Sequence, residues 1–212
     1  LPDDMAKVRE MAAAVGYPFM LKASWGGGGR GMRPIMGPDE LEEKVLEGRR
    51  EAINAFGNGE GYLEKMILNA RHVEVQILGD QYGGLYHLWE RDCSVQRRNQ
   101  KVVERAPAPY LTQEQREKLC ELGKRICQYA KYECAGTVEF LMDRDSGEAF
   151  FIEVNPRVQV EHTVTEQVTG IDIVRAQILL AEGATIAEAT GAPTQDDVRL
   201  NGHAIQCRIT TE

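Results

Sequence analysis

The sequence predicts an α+β fold, on three observations. Stretches with apolar residues at three-and-four spacing are interleaved with stretches of period two. Two of the period-two runs are joined by Asp143-Arg144-Asp145-Ser146-Gly147-Glu148, which reads as a hairpin turn. A glycine tract separates two further extended segments instead of opening a helix. In chain order, Asp3 to Val15 carries Met5, Val8, Met11, Ala12 and Val15 on one helical face and stops at Gly16. Tyr17 to Ala23 reads as a strand, Gly26 to Gly29 with Gly31 as a loop, and Met32 to Met36 as extended chain; Gly37-Pro38 then breaks the chain before a helix from Asp39 to Phe56. Arg71 to Leu78 alternates Val73, Val75 and Ile77 with His72, Glu74 and Gln76, which predicts one core face and one wet or functional face. Gly84 to Glu90 is the next strand. A basic island of Arg91, Arg97, Arg98, Lys101 and Arg105 follows, closed by Pro107 and Pro109. Thr112 to Tyr129 is a helix with Thr112 and Gln115 in capping-box spacing. Gly136 to Met142 and Phe150 to Asn155 form the hairpin, and Asp172 to Glu182 is a late helix. His203 to Thr210 alternates again, with Ala204, Gln206, Arg208 and Thr210 opposite Ile205, Cys207 and Ile209.

A length of 212 residues suits one large domain or two small ones, and 42% apolar with 27% charged residues is a globular composition. The net charge of −8 argues against nucleic acid as a partner, because such a surface repels phosphate. No apolar run approaches the roughly 20 residues of a membrane helix. The chain starts Leu1-Pro2-Asp3-Asp4, with no initiator Met and no leader, the pattern expected of a piece of something longer. Five cysteines, none in C-x-x-C, indicate neither a disulfide framework nor a zinc site and suit a reducing, cytoplasmic setting. Cys120 and Cys127 fall on one helical face, where buried thiols pack as small apolar groups.

Gly26, Gly28 and Gly31 match G-x-G-x-x-G, but a dinucleotide site needs a helix to begin inside the motif, and here Pro34 keeps the following segment extended. No Gly-Lys-Ser/Thr follows, so this is not a Walker loop either. What remains is a glycine flap whose bare amides can approach a triphosphate, with Lys22 upstream as a point charge; the plain alternative is a mobile surface loop. The hairpin says more. Glu139 and Glu153 are equidistant from Ser146, so a regular hairpin centred there sets the two carboxylates opposite each other on one face. Like charges so placed repel, and a divalent cation between them removes the repulsion; oxygen ligands of this kind suit Mg²⁺ shared with nucleotide phosphates. Asn155 adds an amide oxygen. The plain alternative is a solvent-facing acidic pair. Continuing the period of two brings Arg157, Gln159 and Glu161 to the same side, where an arginine can clamp the carboxylate-like or bicarbonate-like oxygen pair of a small anion and a glutamate can take its proton. Lys101 and Arg208 are further cations if the fold closes there. Each taken singly is more often a solvated charge, as His72 and His162 are more often structural.

Taken together these stretches resemble a family. Lys22-Ala23-Ser24-Trp25 with the glycine tract through Met32-Arg33, then Arg71 to Gln76, is similar to the ATP-grasp core of biotin carboxylases. The segments Glu90 to Glu104, Phe151 to Glu166 and Gln206 to Glu212 are long blocks of the same kind, and the last, with Asn201-Gly202-His203-Ala204, is most similar to the pyruvate carboxylase branch. The resemblance implies an α+β ATP-grasp fold, with antiparallel sheets, flanking helices and a glycine-rich flap. It makes residues 1–67 a lid subdomain and 68–212 the central catalytic subdomain. It implies a ligase that uses ATP with Mg²⁺ or Mn²⁺ to turn bicarbonate into carboxyphosphate. Biotin on a separate carrier domain is then carboxylated, on the way from pyruvate to oxaloacetate. Within the family an acyl-CoA carboxylase subunit is the alternative. Position by position, the resemblance assigns ATP contacts to Lys22, Gly26, Gly27, Gly28, Gly29, Gly31, Glu64, Lys65, Met66, His72, Gln96 and Glu139. It assigns metal ligation to Glu139, Glu153 and Asn155, and the bicarbonate site to Lys101, Arg157, Gln159 and Val160. Glu161 becomes the base for bicarbonate and Arg208 the stabiliser of the biotin enolate. The implied partners are the biotin carboxyl carrier domain and the rest of a multidomain, homo-oligomeric enzyme, with no membrane.

Two positions depart from the pattern: Asn99 stands where many stand-alone members have His, and Pro34 replaces an apolar residue after Gly-Met-Arg. Family members also carry an N-terminal domain with another ATP-contacting lysine and a C-terminal portion beyond this sequence, so the expectation is a folded piece that is inactive by itself. The rival from another class is a nucleotide-binding fragment without turnover. A protein kinase fails, because Asp-Phe-Gly is absent and the lysine precedes the glycines.

Overall fold

The computed structural model describes residues 1–26, 31–98 and 100–209. The chain divides into two compact units, Leu1–Leu68 and Asn69–Glu212.

In the first unit, α1 (Met5–Val15) is capped by Asp4, whose side chain accepts from the Ala6 amide at 2.9 Å, and it ends at Gly16. Its buried residues are Val8 and Ala12. A three-stranded antiparallel sheet has β1 (Phe19–Ala23) at its centre, between β2 (Met32–Ile35) and β3 (Gly61–Lys65). The sequence reading has no counterpart to β3, which is short, largely exposed and mixed in polarity, so it carries no alternation to detect. One turn of 3₁₀ helix, Pro38–Glu40, leads into α2 (Leu41–Phe56). This helix lies close on β1: a Cβ at Gly48 would stand 2.9 Å from Leu21 Cδ2, so a side chain there would require the Leu21 side chain to shift. Val8, Ala12, Phe19, Leu21, Ile35, Leu41 and Val45 form the core.

The second unit is built on a six-stranded antiparallel sheet in the order β8-β7-β4-β5-β6-β9. Its strands are β4 (Ala70–Gly79), β5 (Leu85–Arg97), β6 (Gln100–Ala106), β7 (Cys134–Asp143), β8 (Ala149–Asn155) and β9 (Ala204–Cys207). The helix α3 (Gln113–Tyr129) starts with the capping box of Thr112 and Gln115. Leu119, Cys120 and Cys127 from α3 join Val73, Val75, Ile77, Val138 and Phe140 in one core cluster. A second cluster gathers Leu78, Leu88 and Ala135 with residues of α5 (Ile173–Ala181) and α6 (Ile186–Thr190). A short helix, α4 (His162–Thr169), packs Val164 and Val168 against Ala106.

One expectation is narrowed here and one changes. Of the two readings of the second face of β4, wet or functional, the wet one falls, since Glu74 and Gln76 are fully buried. The basic island is also not one patch. β5 runs on to Arg97, and Arg91 is fully buried while Arg97 and Arg98 are exposed, because Glu90–Cys93 in the middle of the strand are covered on both faces and the end of the strand from Val95 on is not. No helix among the described residues is long and apolar enough to cross a membrane.

Candidate active site

The hairpin of β7 and β8 sets Glu139 directly opposite Glu153. Its register is not the regular one expected. Near the turn Met142 faces Ala149 and Phe140 faces Phe151, and the pairing then slips by one residue so that Glu139 meets Glu153. Asn155 bridges the two acids, its Nδ2 donating to Glu139 Oε1 at 3.0 Å and Glu153 Oε1 at 3.3 Å. It therefore turns its amide nitrogen, not the expected oxygen, to the carboxylates, as two facing anions dictate.

Lys101 lies at the middle of the site. Its Nζ donates to Glu74 Oε2 at 2.5 Å, Glu139 Oε1 at 2.7 Å and Glu161 Oε1 at 2.7 Å, so strands β4, β6 and β7 and the start of α4 meet at one ammonium. Burial works against that charge, yet Glu74 and Glu139 outweigh it and hold the Lys101 pKa well above its ordinary value. Burial likewise pushes Glu139 up, but His72 and Lys101 beside it hold the carboxyl far below the usual range. His72 Nε2 is 2.9 Å from Glu139 Oε2. Glu161 is also held below its ordinary value, burial being outweighed by Lys101.

Arg91 closes the buried side. Its Nε donates to Glu74 Oε1 at 2.6 Å and its Nη1 to Gln76 at 2.7 Å and Thr165 at 3.0 Å. Its Nη2 reaches Thr137 at 3.3 Å and Gln159 Oε1 at 3.5 Å. With its oxygen engaged in this way, Gln159 presents its amide nitrogen to Glu139 at 2.9 Å. Arg208 spans Glu104 Oε1 at 2.7 Å and Glu161 Oε2 at 2.6 Å.

The structure thus brings together Lys101, His72, Glu139, Glu153, Asn155, Gln159, Glu161 and Arg208. Arg157 joins the edge, exposed, with Nη2 3.4 Å from Asn155 Oδ1. The period of two does not carry it there. β8 ends at Asn155, residues 156–161 turn, and Glu161 sits at the start of α4, so Gln159 and Glu161 arrive by a turn rather than along a strand. Val160 is exposed, and Gln96, register-paired with Lys101, is exposed and donates to the Cys93 carbonyl at 2.9 Å.

In the first unit Lys22 pairs with Glu64 at 2.5 Å, Lys65 is exposed, and the Met66 amide donates to the Pro18 carbonyl at 3.4 Å. Gly26 donates to the Ala23 carbonyl at 3.0 Å, and Gly31 takes φ 76 where a Cβ would stand 2.9 Å from Ala23 Cβ. Gly27, Gly28 and Gly29 lie outside the described residues, as does Asn99. Sequence reasoning assigned no role to Glu74, Arg91 or Glu104. For Glu74 the signal was present, since it shares a face of β4 with His72; for the other two a charged run reads as solvated surface.

Known proteins share this sequence and fold. The chain is 53% identical over 205 residues to the pyruvate carboxylase of Staphylococcus aureus, covering 96% of this chain and 18% of that protein. It superposes on the structure of Rhizobium etli pyruvate carboxylase with a TM-score of 0.87 and 63% identity, covering 96% of this chain and 18% of the other. It superposes with a TM-score of 0.86 and 48% identity on the biotin carboxylase domain of Hydrogenobacter thermophilus 2-oxoglutarate carboxylase, solved with MgADP, ADP and bicarbonate, covering 97% of this chain and 44% of that one. The chain therefore spans under a fifth of the pyruvate carboxylases it matches. The fold is the α+β ATP-grasp arrangement of biotin carboxylase domains. Residues 1–189 match the model of the family described as carbamoyl-phosphate synthase L chain, ATP binding domain, and the chain belongs to that family.

Proposed function

We propose that this chain is the ATP-grasp part of a biotin-dependent carboxylase of the pyruvate carboxylase type, in which ATP activates bicarbonate for transfer to biotin. The observation that carries the reading is Glu139 facing Glu153 across the hairpin, with Lys101, Gln159 and Glu161 around them. Similarity to a domain solved with MgADP and bicarbonate supports the same reading.

The donor set suits a hard cation. A half turn of the Asn155 amide gives three oxygens on one side of the hairpin, the chemistry Mg²⁺ or Mn²⁺ prefers. Glu139, Glu153 and Asn155 would hold the ion, which when bound offsets charge on the nucleotide phosphates. Lys22 would exchange Glu64 for phosphate oxygens. Gly26, Gly27, Gly28, Gly29, Gly31, Glu64, Lys65, Met66, His72 and Gln96 would complete the nucleotide contacts, with residues 1–67 acting as the lid and 68–212 as the catalytic body. Lys101, Arg157, Gln159 and Val160 would hold bicarbonate. Glu161, kept ionised by Lys101, would accept the bicarbonate proton as ATP phosphorylates the anion to carboxyphosphate. Biotin, on a carrier domain, supplies the nitrogen that receives the carboxyl group, and Arg208 would hold its ureido oxygen. Pyruvate is the proposed final acceptor, because the relatives at 53% and 63% identity are pyruvate carboxylases. The rest of a multidomain, homo-oligomeric, cytoplasmic enzyme completes the proposal.

The test is Glu153→Gln in the full-length enzyme. Glu153 is exposed, so the fold should survive, while ATP cleavage should fall by about a hundredfold or more through loss of metal binding. Unchanged magnesium-dependent turnover would remove the metal assignment.

A further inference from the structure

Glu104 has no part in the reaction as set out above, yet its surroundings give it one. On β6 it is register-paired with Gln206 of β9. Arg208, two residues farther along, is tied to β6 twice: its amide donates to the Val102 carbonyl at 2.8 Å, and its Nε donates to Glu104 Oε1 at 2.7 Å. Glu104 is fully buried, and its Oε2 has no hydrogen-bond partner among the described residues. An unpaired buried carboxylate oxygen is costly, so a buried acid that keeps one needs a reason beyond its contribution to stability. Arg208 is the one group this carboxylate holds among the described residues.

Arg208 is gripped by a second acid as well, since Nη2 donates to Glu161 Oε2 at 2.6 Å. The two grips are not equivalent. Glu161 is the group proposed to take the bicarbonate proton, and once neutral it holds a guanidinium less firmly. Glu104 lies outside that proton transfer and keeps its hold on Nε throughout. The guanidinium is a rigid planar fork, so pinning Nε limits where Nη1, which has no partner among the described residues, can point.

We propose that Glu104 is the positioning residue for Arg208, keeping its free nitrogen directed at the biotin ureido oxygen after Glu161 has been neutralised. This rests on the role of Arg208 given under Proposed function.

The experiment is Glu104→Gln in the full-length carboxylase, with three readouts. The reactivity of Arg208 toward phenylglyoxal, mapped by peptide mass spectrometry without biotin, should rise severalfold. Bicarbonate-dependent ATP cleavage without biotin should stay within about twofold of wild type, while carboxylation of free biotin falls about tenfold or more. An unchanged Arg208 reactivity overturns the proposal, and so does an equal change, or no change, in the two rates. Should Glu104→Gln fail to fold, Glu104→Asp keeps the buried charge with a shorter reach; the same split in smaller measure is expected, and equal loss of both rates overturns it. A wild-type enzyme without bicarbonate-dependent ATP cleavage would instead remove the functional reading of the whole site, leaving the phenylglyoxal result to decide the Glu104–Arg208 tether by itself.

Discussion

On one face of β4 stand Val73, Val75 and Ile77, packed with Val138, Phe140 and the apolar side of α3; on the other stand His72, Glu74 and Gln76, closed over by Arg91, Lys101 and Thr165. Consecutive residues of one strand thus serve two interiors. The first is held by removing apolar surface from water, which is non-directional and tolerates small changes of shape. The second is held by charges that must find partners at fixed distances, because an ion buried without one is far more costly than a small cavity. Side chains in the second kind of interior are oriented in advance, since Arg91 and Lys101 dictate where Glu74, Gln159 and Glu161 point.

The contrast can be broken most severely at Arg91. Arg91→Met should destabilise the protein by about 3–5 kcal/mol in denaturant unfolding, because it leaves Glu74 buried beside fewer donors. Adding Glu74→Gln to the same chain should recover part of that loss; a double variant as unstable as the sum of the singles would show that the two side chains act independently. Acid comes next. Glu139 and Glu161 have folded pKa values below their unfolded ones, so the unfolded chain takes up their protons first. Their stabilisation is complete above the ordinary carboxylate range, begins to be lost as pH falls into it and is gone only below their depressed folded values, with a slope of at most about 1.4 kcal/mol per pH unit for each proton. Asp92 acts in the same direction. Glu90 and Glu104, pushed up by burial, act against it. Glu161→Gln should flatten the profile below pH of about 4.5, whereas a change on the apolar face should leave its shape unaltered. The smallest effect belongs to that apolar face: Ile77→Val should cost about 0.5–1.5 kcal/mol and leave the acid profile parallel to wild type.

The same contrast explains what could be read from the residues alone. Helix starts at Thr112 and Asp172 were legible because a cap and its partner lie within three residues of each other. A regular hairpin centred on Ser146 pairs Glu139 with Glu153, and the structure reaches the same pairing through a one-residue slip that the residues alone do not announce. Lys101, Glu104, Glu161 and Arg208 come together only through the order of strands in a six-stranded sheet and the placement of α4, and a period-of-two argument does not contain that information. Arg91 was misread for a related reason: a charged residue within a basic run looks solvated until its partners on three other segments are known. The outward face of β9, with Ile205 and Cys207 exposed, reverses the usual inference that apolar alternation points inward.

The slipped pairing in β8 works as a parity device. Carried on without interruption, the pairing of Phe140 with Phe151 would have met Glu139 with Ile152 and left Glu153 across from Val138, on the opposite side of the ribbon. One supernumerary residue, which adds almost nothing to the core, decides whether two anions share an address. Insertions and deletions between the turn and Glu153 should therefore be tolerated in pairs far better than singly, however conservative the residues involved.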